Sequence, residues 1–296
     1  MLDWPPLPLD EWRETRDTLH RWTQIAGKIR LALTPLVNHW WNVTLYVTAR
    51  GLTTSRMPCR GGRSLDVEFD FVAHALRFRV SDGRAHDIPL GPRSVADVWR
   101  EVLHVIDVLD IPCAISPAPS EIVDDTTPFD RDETHRHYDR GAVERFWRIL
   151  SSCDTVFNEF RARFVGKCSP VHFFWGGFDM AVTRFSGRAA PPRDGADAIT
   201  REAYSHEVSS LGWWPGDARV PFPAFYSYAA PQPAGYDKAR IAPPSAYYLD
   251  GAGYYLLPYD DVRRAADPEA MLLDFSQSTY EAAANLGGWD RKALER

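Results

Sequence analysis

Apolar positions in the first part of the chain change from helical to strand spacing. Trp12, Thr15, Leu19 and Trp22 recur at three- and four-residue steps and predict a helix over residues 9–33, which Pro35 ends. Residues 65–71 alternate apolar and polar side chains, as a strand with one solvated face does. By the same criteria, further strands are predicted over residues 43–50, 75–80 and 87–90, and a helix over 94–109. The predicted order is α-β-β-β-β-α.

The same order returns in the second part of the chain. The patterns predict helices over residues 142–165 and 267–284, with strands over 178–183, 224–229, 246–249 and 254–257 between them. A Pro-rich and acidic linker, residues 111–140, separates the two parts. Residues 186–223 are rich in Gly and Pro but contain several aromatic residues, so we expect an ordered, functional insertion there.

The two parts also resemble each other residue by residue. Residues 35–48 align without gaps on residues 170–183, at a constant offset of 135 positions. We therefore expect an α+β fold in which two pseudo-symmetric repeats, residues 10–110 and 141–286, form a largely antiparallel sheet of eight strands with helices packed on it. Residues 1–296 would then form a single domain. The alternative is two separately closed domains.

Composition narrows the class of protein. The 296 residues are 45% hydrophobic and carry a net charge of −6, which is typical of a globular chain and makes nucleic acid an unfavourable partner. Four scattered cysteines without a CxxC pair favour reduced thiols over disulfides or structural zinc. The sequence shows neither a signal peptide nor about 18 consecutive apolar residues, so we expect a cytoplasmic protein without a membrane partner. The oligomeric state is not indicated.

Candidate acid–base chemistry lies in the insertion. Glu202 and His206 are four residues apart, and a short helix capped by Thr200 would place them on one face. His206 with Glu202 or Glu207 is therefore a candidate catalytic pair, because a carboxylate orients an imidazole and raises its pKa. His39, His172, His206 and Glu202 are also candidate metal ligands, although no motif fixes their spacing. Structural hydrogen bonding is the alternative for all of them, and no cofactor is indicated.

A second candidate site lies in the linker. Glu121 belongs to the segment Pro119-Ser120-Glu121, and His135 and His137 follow at alternate positions. A dense charged run of this kind is usually a solvated loop, which is the alternative interpretation.

Clusters of aromatic residues favour a pocket for a small organic ligand. Flat apolar faces with polar edges suit such a pocket, although a core position is the alternative for each ring. Arg184 lies near the end of a predicted strand, where it would hold a ligand carboxylate. The candidate ligand-binding residues are His39, Trp40, Trp41, His172, Trp175, Arg184, Tyr204 and Trp214. A non-catalytic module that presents aromatic loops to another protein is the alternative function.

Four runs of the sequence resemble a known family. Residues 23–28, 38–41, 169–176 and 202–207 are similar to an uncharacterised bacterial family of full-length domain-of-unknown-function proteins, and the resemblance extends over essentially the whole chain. The resemblance implies no activity, cofactor or catalytic residue.

Overall fold

The computed structural model describes residues 2–296. The first half contains two long helices with six short strands between them, whereas the sequence predicted four strands there. Its elements are α1 (Leu9–Leu33), β1 (Tyr46–Val47), β2 (Gly51–Thr53), β3 (Met57–Pro58), β4 (Ser64–Asp70), β5 (Ala75–Val80), β6 (Ala85–Pro89) and α2 (Val95–Val108). Ser94 caps α2 by accepting a hydrogen bond from the Asp97 amide.

The second half has longer strands and more helices. Its elements are α3 (Arg140–Ala162), β7 (His172–Phe174), β8 (Asp179–Ala189), α4 (Ala198–Ala203), β9 (His206–Trp214), β10 (Ala224–Ala230), β11 (Tyr247–Leu249), β12 (Tyr254–Pro258), α5 (Tyr259–Arg263), α6 (Pro268–Leu286) and α7 (Arg291–Leu294). The helices and antiparallel strands confirm the predicted α+β class. No helix within residues 2–296 has the length and apolar character needed to cross a membrane.

The strands of residues 2–296 form two six-stranded antiparallel sheets instead of the expected single sheet of eight. The first has the order β1-β2-β4-β5-β6, with β3 also paired to β4, and the second has the order β11-β12-β10-β9-β8-β7. The sheets meet at their edges, where the backbones of Leu45 and Phe173 exchange two hydrogen bonds of 2.9 Å. Strand twist accumulates across a sheet and favours such a division once there are more than about ten strands.

Residues 186–223, predicted as an insertion, contribute a central strand. β9 lies between β8 and β10, so this segment is part of the second sheet as well as a connection. The strand pattern is hard to detect because one face of β9 carries Val208, Ser210 and Gly212, whose side chains are mostly small or polar. That face does not pack against the main core.

Helix α1 lies at the centre of the molecule. Every residue from Thr18 to Arg30 is buried, and one cluster of core residues contains members from both halves, including Trp22, Phe146 and Phe225. Several polar side chains of α1 are therefore buried and need hydrogen-bond partners inside the protein. Their partners include segments that surround a cavity beside the second sheet.

The alternation along β8 separates two environments. Asp179, Ala181 and Thr183 face a cavity on one side of the second sheet. Met180 and Val182, at the intervening positions, point into the core on the other side. The strand therefore forms one wall of the cavity and anchors it to the core.

Candidate functional site

A cavity of about 350 Å³ lies between the second sheet and segments from the rest of the chain. Strands β7 to β10 form its floor, the end of α1 and residues 39–43 form one wall, and the linker and α4 complete it. The lining residues are Leu31, His39, Trp40, Trp41, Val43, Ser120, Glu121, Phe174, Trp175, Gly176, Gly177, Asp179, Ala181, Thr183, Phe185, Ile199, Ala203, Tyr204, Val208, Ser210, Tyr226 and Tyr228. The volume is within the range of small-molecule sites.

Hydroxyl groups cross the floor of the cavity in register. Thr183 pairs with Ser210 across β8 and β9, and Ser210 pairs with Tyr228 across β9 and β10. The Thr183 and Ser210 hydroxyls lie 2.9 Å apart, and the Tyr228 hydroxyl lies 3.1 Å from that of Tyr204. The sheet therefore presents a row of groups that both donate and accept hydrogen bonds.

Asp179 is the carboxyl group on this floor. Its Oδ2 accepts a hydrogen bond from the Tyr226 hydroxyl. Gly212 makes this contact possible, because a Cβ at that position would overlap the Tyr226 ring. Burial raises the pKa of Asp179 to about 7, an effect that the Tyr226 hydrogen bond opposes and the negative charge of Glu121 reinforces. Near neutral pH this group can therefore give or take a proton.

Glu121 brings a second carboxyl group to the same place. A Cβ on Gly176 would overlap Glu121 Oε1, and a Cβ on Gly177 would lie 2.7 Å from Asp179 Oδ1 and 3.9 Å from Glu121 Oε2. One oxygen of each carboxyl group therefore lies within 3.9 Å of the same point beside Gly177, so the two groups are close neighbours. Although Glu121 is exposed, the protein around its carboxyl group excludes enough water to raise its pKa, and the charge of Asp197 adds to this.

Helix α1 holds the segments that carry these carboxyl groups. Gln24 forms two hydrogen bonds of 2.8 Å with the Ser120 backbone, one to the carbonyl and one from the amide. His20 Nε2 lies 2.8 Å from the Gly176 carbonyl, and Lys28 Nζ donates to Ser120 Oγ at 3.1 Å. The linker and the glycine pair are thus fixed to the most buried helix of the protein.

Some of the non-glycine residues with positive φ angles line the cavity. Non-glycine residues rarely adopt this conformation, yet His39, Trp40 and Glu121 have φ angles of 60°, 61° and 61°. Phe178, immediately before Asp179, has a φ of 57°. Such backbone conformations are kept where the surrounding structure enforces them, and they are frequent in functional sites.

His39 links the wall of the cavity to α4. Its Nδ1 lies 3.1 Å from the Glu202 carbonyl and donates to it, while Nε2 accepts from Lys167 Nζ at 2.6 Å. The His39 amide also donates to the Glu202 side chain at 3.3 Å. Burial and then the charge of Lys167 lower the pKa of His39, so the imidazole is neutral.

The structure separates the predicted ligand-binding residues into two groups. His39, Trp40, Trp41, Trp175 and Tyr204 line the cavity, whereas His172, Arg184 and Trp214 are not among its lining residues. His172 and His39 each contact the Trp41 ring, with centroid distances of 5.6 and 5.1 Å, but only His39 lines the cavity. Burial lowers the pKa of His172 to about 3, and its Nδ1 lies 2.9 Å from Thr44 Oγ1.

Arg184 and Trp214 lie outside the cavity because of their positions on strands β8 and β9. Arg184 is on the opposite face of β8, where its guanidinium stacks against Phe160 and Tyr280. Trp214 is on the cavity face of β9 but lies beyond Tyr226, with the ring centroids 5.4 Å apart. Neither position reaches the cavity.

The predicted pairing of His206 with a carboxylate is not formed. Glu202 belongs to α4 while His206 begins β9, so the expected shared helical face does not exist, and Asp197 instead of Thr200 caps the helix. His206 Nδ1 lies 3.0 Å from Ser205 Oγ. Glu207 is bound by Arg188 and Ser186 on the surface.

The four candidate metal ligands are not arranged as a metal site. The His39 and His206 rings are 5.8 Å apart, but both His39 nitrogens are already hydrogen-bonded. Among residues 2–296, no group of three or more His, Cys, Asp or Glu side chains has an arrangement that would hold a metal ion.

The central carboxyl group, Asp179, is not among the residues selected from the sequence. Glu121 was selected only as part of a charged linker, together with His135 and His137; His135 instead pairs with the buried Asp132. The available signal was the Gly176-Gly177 pair before Asp179, which indicates a close approach to the backbone but does not show which groups approach.

The aromatic clusters are mostly internal. His39, Trp175, Trp213 and Phe225 are all buried. Within the described chain, the exposed large hydrophobic residues are aliphatic except for Tyr247. This distribution gives little support to a module that presents aromatic loops to another protein.

Comparison with known proteins gives a family but no activity. A model of the family of unknown function DUF5996 matches residues 4–296, and the chain therefore belongs to this family. No curated protein and no solved structure matches it.

Proposed function

We propose that the protein binds a small organic molecule in the cavity between the second sheet and the α1 and linker segments. The observation that carries this proposal is the cavity itself, which is lined by aromatic residues and by a half-buried carboxyl group, that of Asp179, whose Oδ1 lies beside Gly177. Ligand sites typically combine a mainly apolar lining with a few polar groups that set the orientation.

The strained backbone around the cavity supports the same conclusion. His39, Trp40 and Glu121, which line the cavity, each adopt a backbone conformation that costs free energy, and such conformations are frequent in functional sites. The mixture of apolar rings and hydroxyl groups suits a molecule with a flat or aliphatic body and one polar end.

The test of this proposal compares wild type with a variant whose cavity is filled. Wild-type protein incubated with a cell metabolite extract is examined by native mass spectrometry and should retain a small-molecule adduct. Ala181→Trp, which places an indole in the cavity, should lose the adduct, whereas Ala85→Trp on the exposed edge strand β6 should keep it. An adduct that survives in Ala181→Trp, or no adduct in wild type, would contradict the proposal.

One further observation favours the hypothesis that the protein also catalyses a reaction of the bound molecule. Asp179 has a pKa of about 7 and lies beside Glu121 and the Tyr226 hydroxyl, so it is suited to general acid–base catalysis at neutral pH. Under this hypothesis the ligand would change its mass or composition during incubation with wild type. Asp179→Asn should stop the change, because an amide cannot exchange the proton. Unchanged turnover in Asp179→Asn would exclude this role.

A further inference from the structure

The charged groups around the cavity restrict the class of ligand. The lining residues within the described chain include the carboxyl groups of Glu121 and Asp179 but no Lys or Arg. The cations next to this lining are bound to its residues: Lys167 Nζ is hydrogen-bonded to His39 at 2.6 Å, Lys28 Nζ donates to Ser120 Oγ at 3.1 Å, and Arg193 stacks on Tyr204. An anionic ligand would therefore face two acids without a compensating cation.

The two carboxyl groups also lack counter-ions. Within residues 2–296, neither Glu121 nor Asp179 takes part in a salt bridge, whereas Asp17, Asp125 and Asp132 each pair with an arginine of α1. Asp179 Oδ2 accepts a hydrogen bond from the Tyr226 hydroxyl. Asp179 Oδ1 and Glu121 Oε2 both lie beside Gly177. A cation placed there would neutralise both groups and remove the unfavourable energy of holding two acids close together.

The aromatic residues of the cavity suit the apolar part of an organic cation. Trp40, Trp175 and Phe174 present aromatic surface to the same cavity. Aromatic faces attract cations and pack well against the carbon atoms next to them. The Trp175 ring already interacts with a cation of this chain, since Lys28 Nζ lies 5.8 Å from its centre.

We propose that the ligand of the cavity is a small organic cation, a protonated amine whose ammonium group lies between Asp179 and Glu121 and whose apolar body contacts the aromatic wall. This inference rests on the proposed function and names the chemical class of its ligand. It distinguishes the site from one for a sugar, which is neutral, and from one for a carboxylic acid.

Proton linkage gives the first expected result. The titratable groups that face the cavity are Glu121 from the linker, Asp179 from β8, His39 from the wall, Tyr204 next to α4, and Tyr226 and Tyr228 from β10. Because Asp179 is largely protonated at pH 6 and largely ionised at pH 8, an ammonium ion should bind more tightly at pH 8, and its binding at pH 6 should release a proton.

The experiment uses three matched probes: phenethylammonium, 2-phenylethanol and 3-phenylpropionate. Binding to the full-length protein is followed by tryptophan fluorescence and calorimetry at pH 6 and pH 8. Phenethylammonium should bind at least about tenfold more tightly than either other probe at pH 8, as charge-assisted hydrogen bonds predict. Asp179→Asn and Glu121→Gln should each weaken its binding, while Asp274→Asn, an exposed substitution on α6 with the same charge change, should not.

The outcomes separate the two proposals. If the alcohol or the acid binds at least as tightly as the amine, and this binding is lost in Ala181→Trp, the cation inference is wrong and the ligand site remains. If no probe shows binding that depends on Ala181, both the cation inference and the proposed function are contradicted. Amine binding that is equal in wild type and Asp179→Asn would also overturn the inference.

Discussion

At the scale of single residues, the important feature is the raised pKa of the Asp179 carboxyl group. Asp179 is half-buried, and the water it meets lies in the cavity. Burial outweighs the stabilising hydrogen bond from Tyr226, so its pKa rises from an ordinary value of 3.8 to about 7. The ionised form is therefore less favourable in the folded protein than in the unfolded chain.

This shift predicts a pH dependence of stability. A raised pKa means that the folded protein binds the proton more tightly, so the contribution of Asp179 is fully present below about pH 3.8 and is lost as the pH rises through about 7. Asp179→Asn removes the ionisation but retains an oxygen that can accept from Tyr226. We expect its melting temperature, relative to wild type, to rise between pH 5 and pH 8.

Thermal melts across this pH range provide the measurement, with Asp274→Asn as the control for a general change in charge. The control should show a constant difference from wild type. A constant difference for Asp179→Asn as well would mean that the pKa of Asp179 is not raised.

At the scale of elements, α1 and the cavity wall are packed against each other through a glycine. A Cβ on Gly27 would overlap the Trp175 ring, whose Nε1 donates to the Val43 carbonyl at 2.6 Å. The glycine in this helix therefore has a packing function. It allows the indole to lie directly on the helix backbone and to form part of the cavity.

Gly27→Ala should consequently destabilise the protein, although alanine is the better helix former by about 1 kcal/mol. We expect a loss of about 1–3 kcal/mol in the free energy of unfolding, because the Trp175 ring must shift in a close-packed region. Gly141→Ala in α3 is the matched control, since a Cβ there overlaps no ring or backbone and its nearest atoms are Asp139 Oδ1 at 3.3 Å and Arg145 Nη1 at 3.4 Å. Denaturant unfolding measures both, and equal stability of the two variants would contradict this role of Gly27.

The contact between α4 and the segment Asn38–Trp40 is a second feature at this scale. α4 is only six residues long and contains no buried residue, so it depends on the His39–Glu202 hydrogen bonds for its position. His39→Ala should increase amide hydrogen exchange in residues 198–205, because the imidazole hydrogen bond to the Glu202 carbonyl is lost and only the backbone amide of residue 39 still binds α4. Arg201→Ala, which removes only a local hydrogen bond to Ala196, should change exchange less. Equal exchange in both variants would show that His39 does not fix α4.

At the scale of the whole molecule, the two halves share a core. The core cluster includes Trp22 and Phe78 from the first half and Phe146 and Phe225 from the second. We therefore expect a single calorimetric unfolding transition, with equal calorimetric and van't Hoff enthalpies. Two separate transitions would instead favour two domains that close independently.

The internal duplication remains a prediction at this scale. Both sheets begin with a strand that follows a long helix, and these strands, β1 and β7, meet at Leu45 and Phe173. If the halves are duplicates, this contact makes Leu45 equivalent to Phe173, whereas the ungapped alignment of the sequence makes it equivalent to Met180. Superposition of the two halves with β1 placed on β7 provides the test, and helices that fail to overlay would exclude duplication.

The sequence by itself determined the elements that have strong periodicity or clear ends. Helix α1 and strand β5 have the predicted bounds, and Ser94 caps α2 as expected, because these features depend on neighbouring residues. Short or weakly apolar strands such as β2 and β9 were missed, since their stability comes from the strands beside them.

Only the tertiary structure decided which candidate residues share a site. Strand alternation places Asp179 in the cavity and Arg184 on the other face, and the linker brings Glu121 to Asp179 across a large separation in sequence. The aromatic residues Trp40, Trp41 and Trp175 were recognisable in the sequence, but the acids that give the cavity its chemistry were hidden among many others. Their pKa values depend on burial and on neighbours in space, which residue order alone does not reveal.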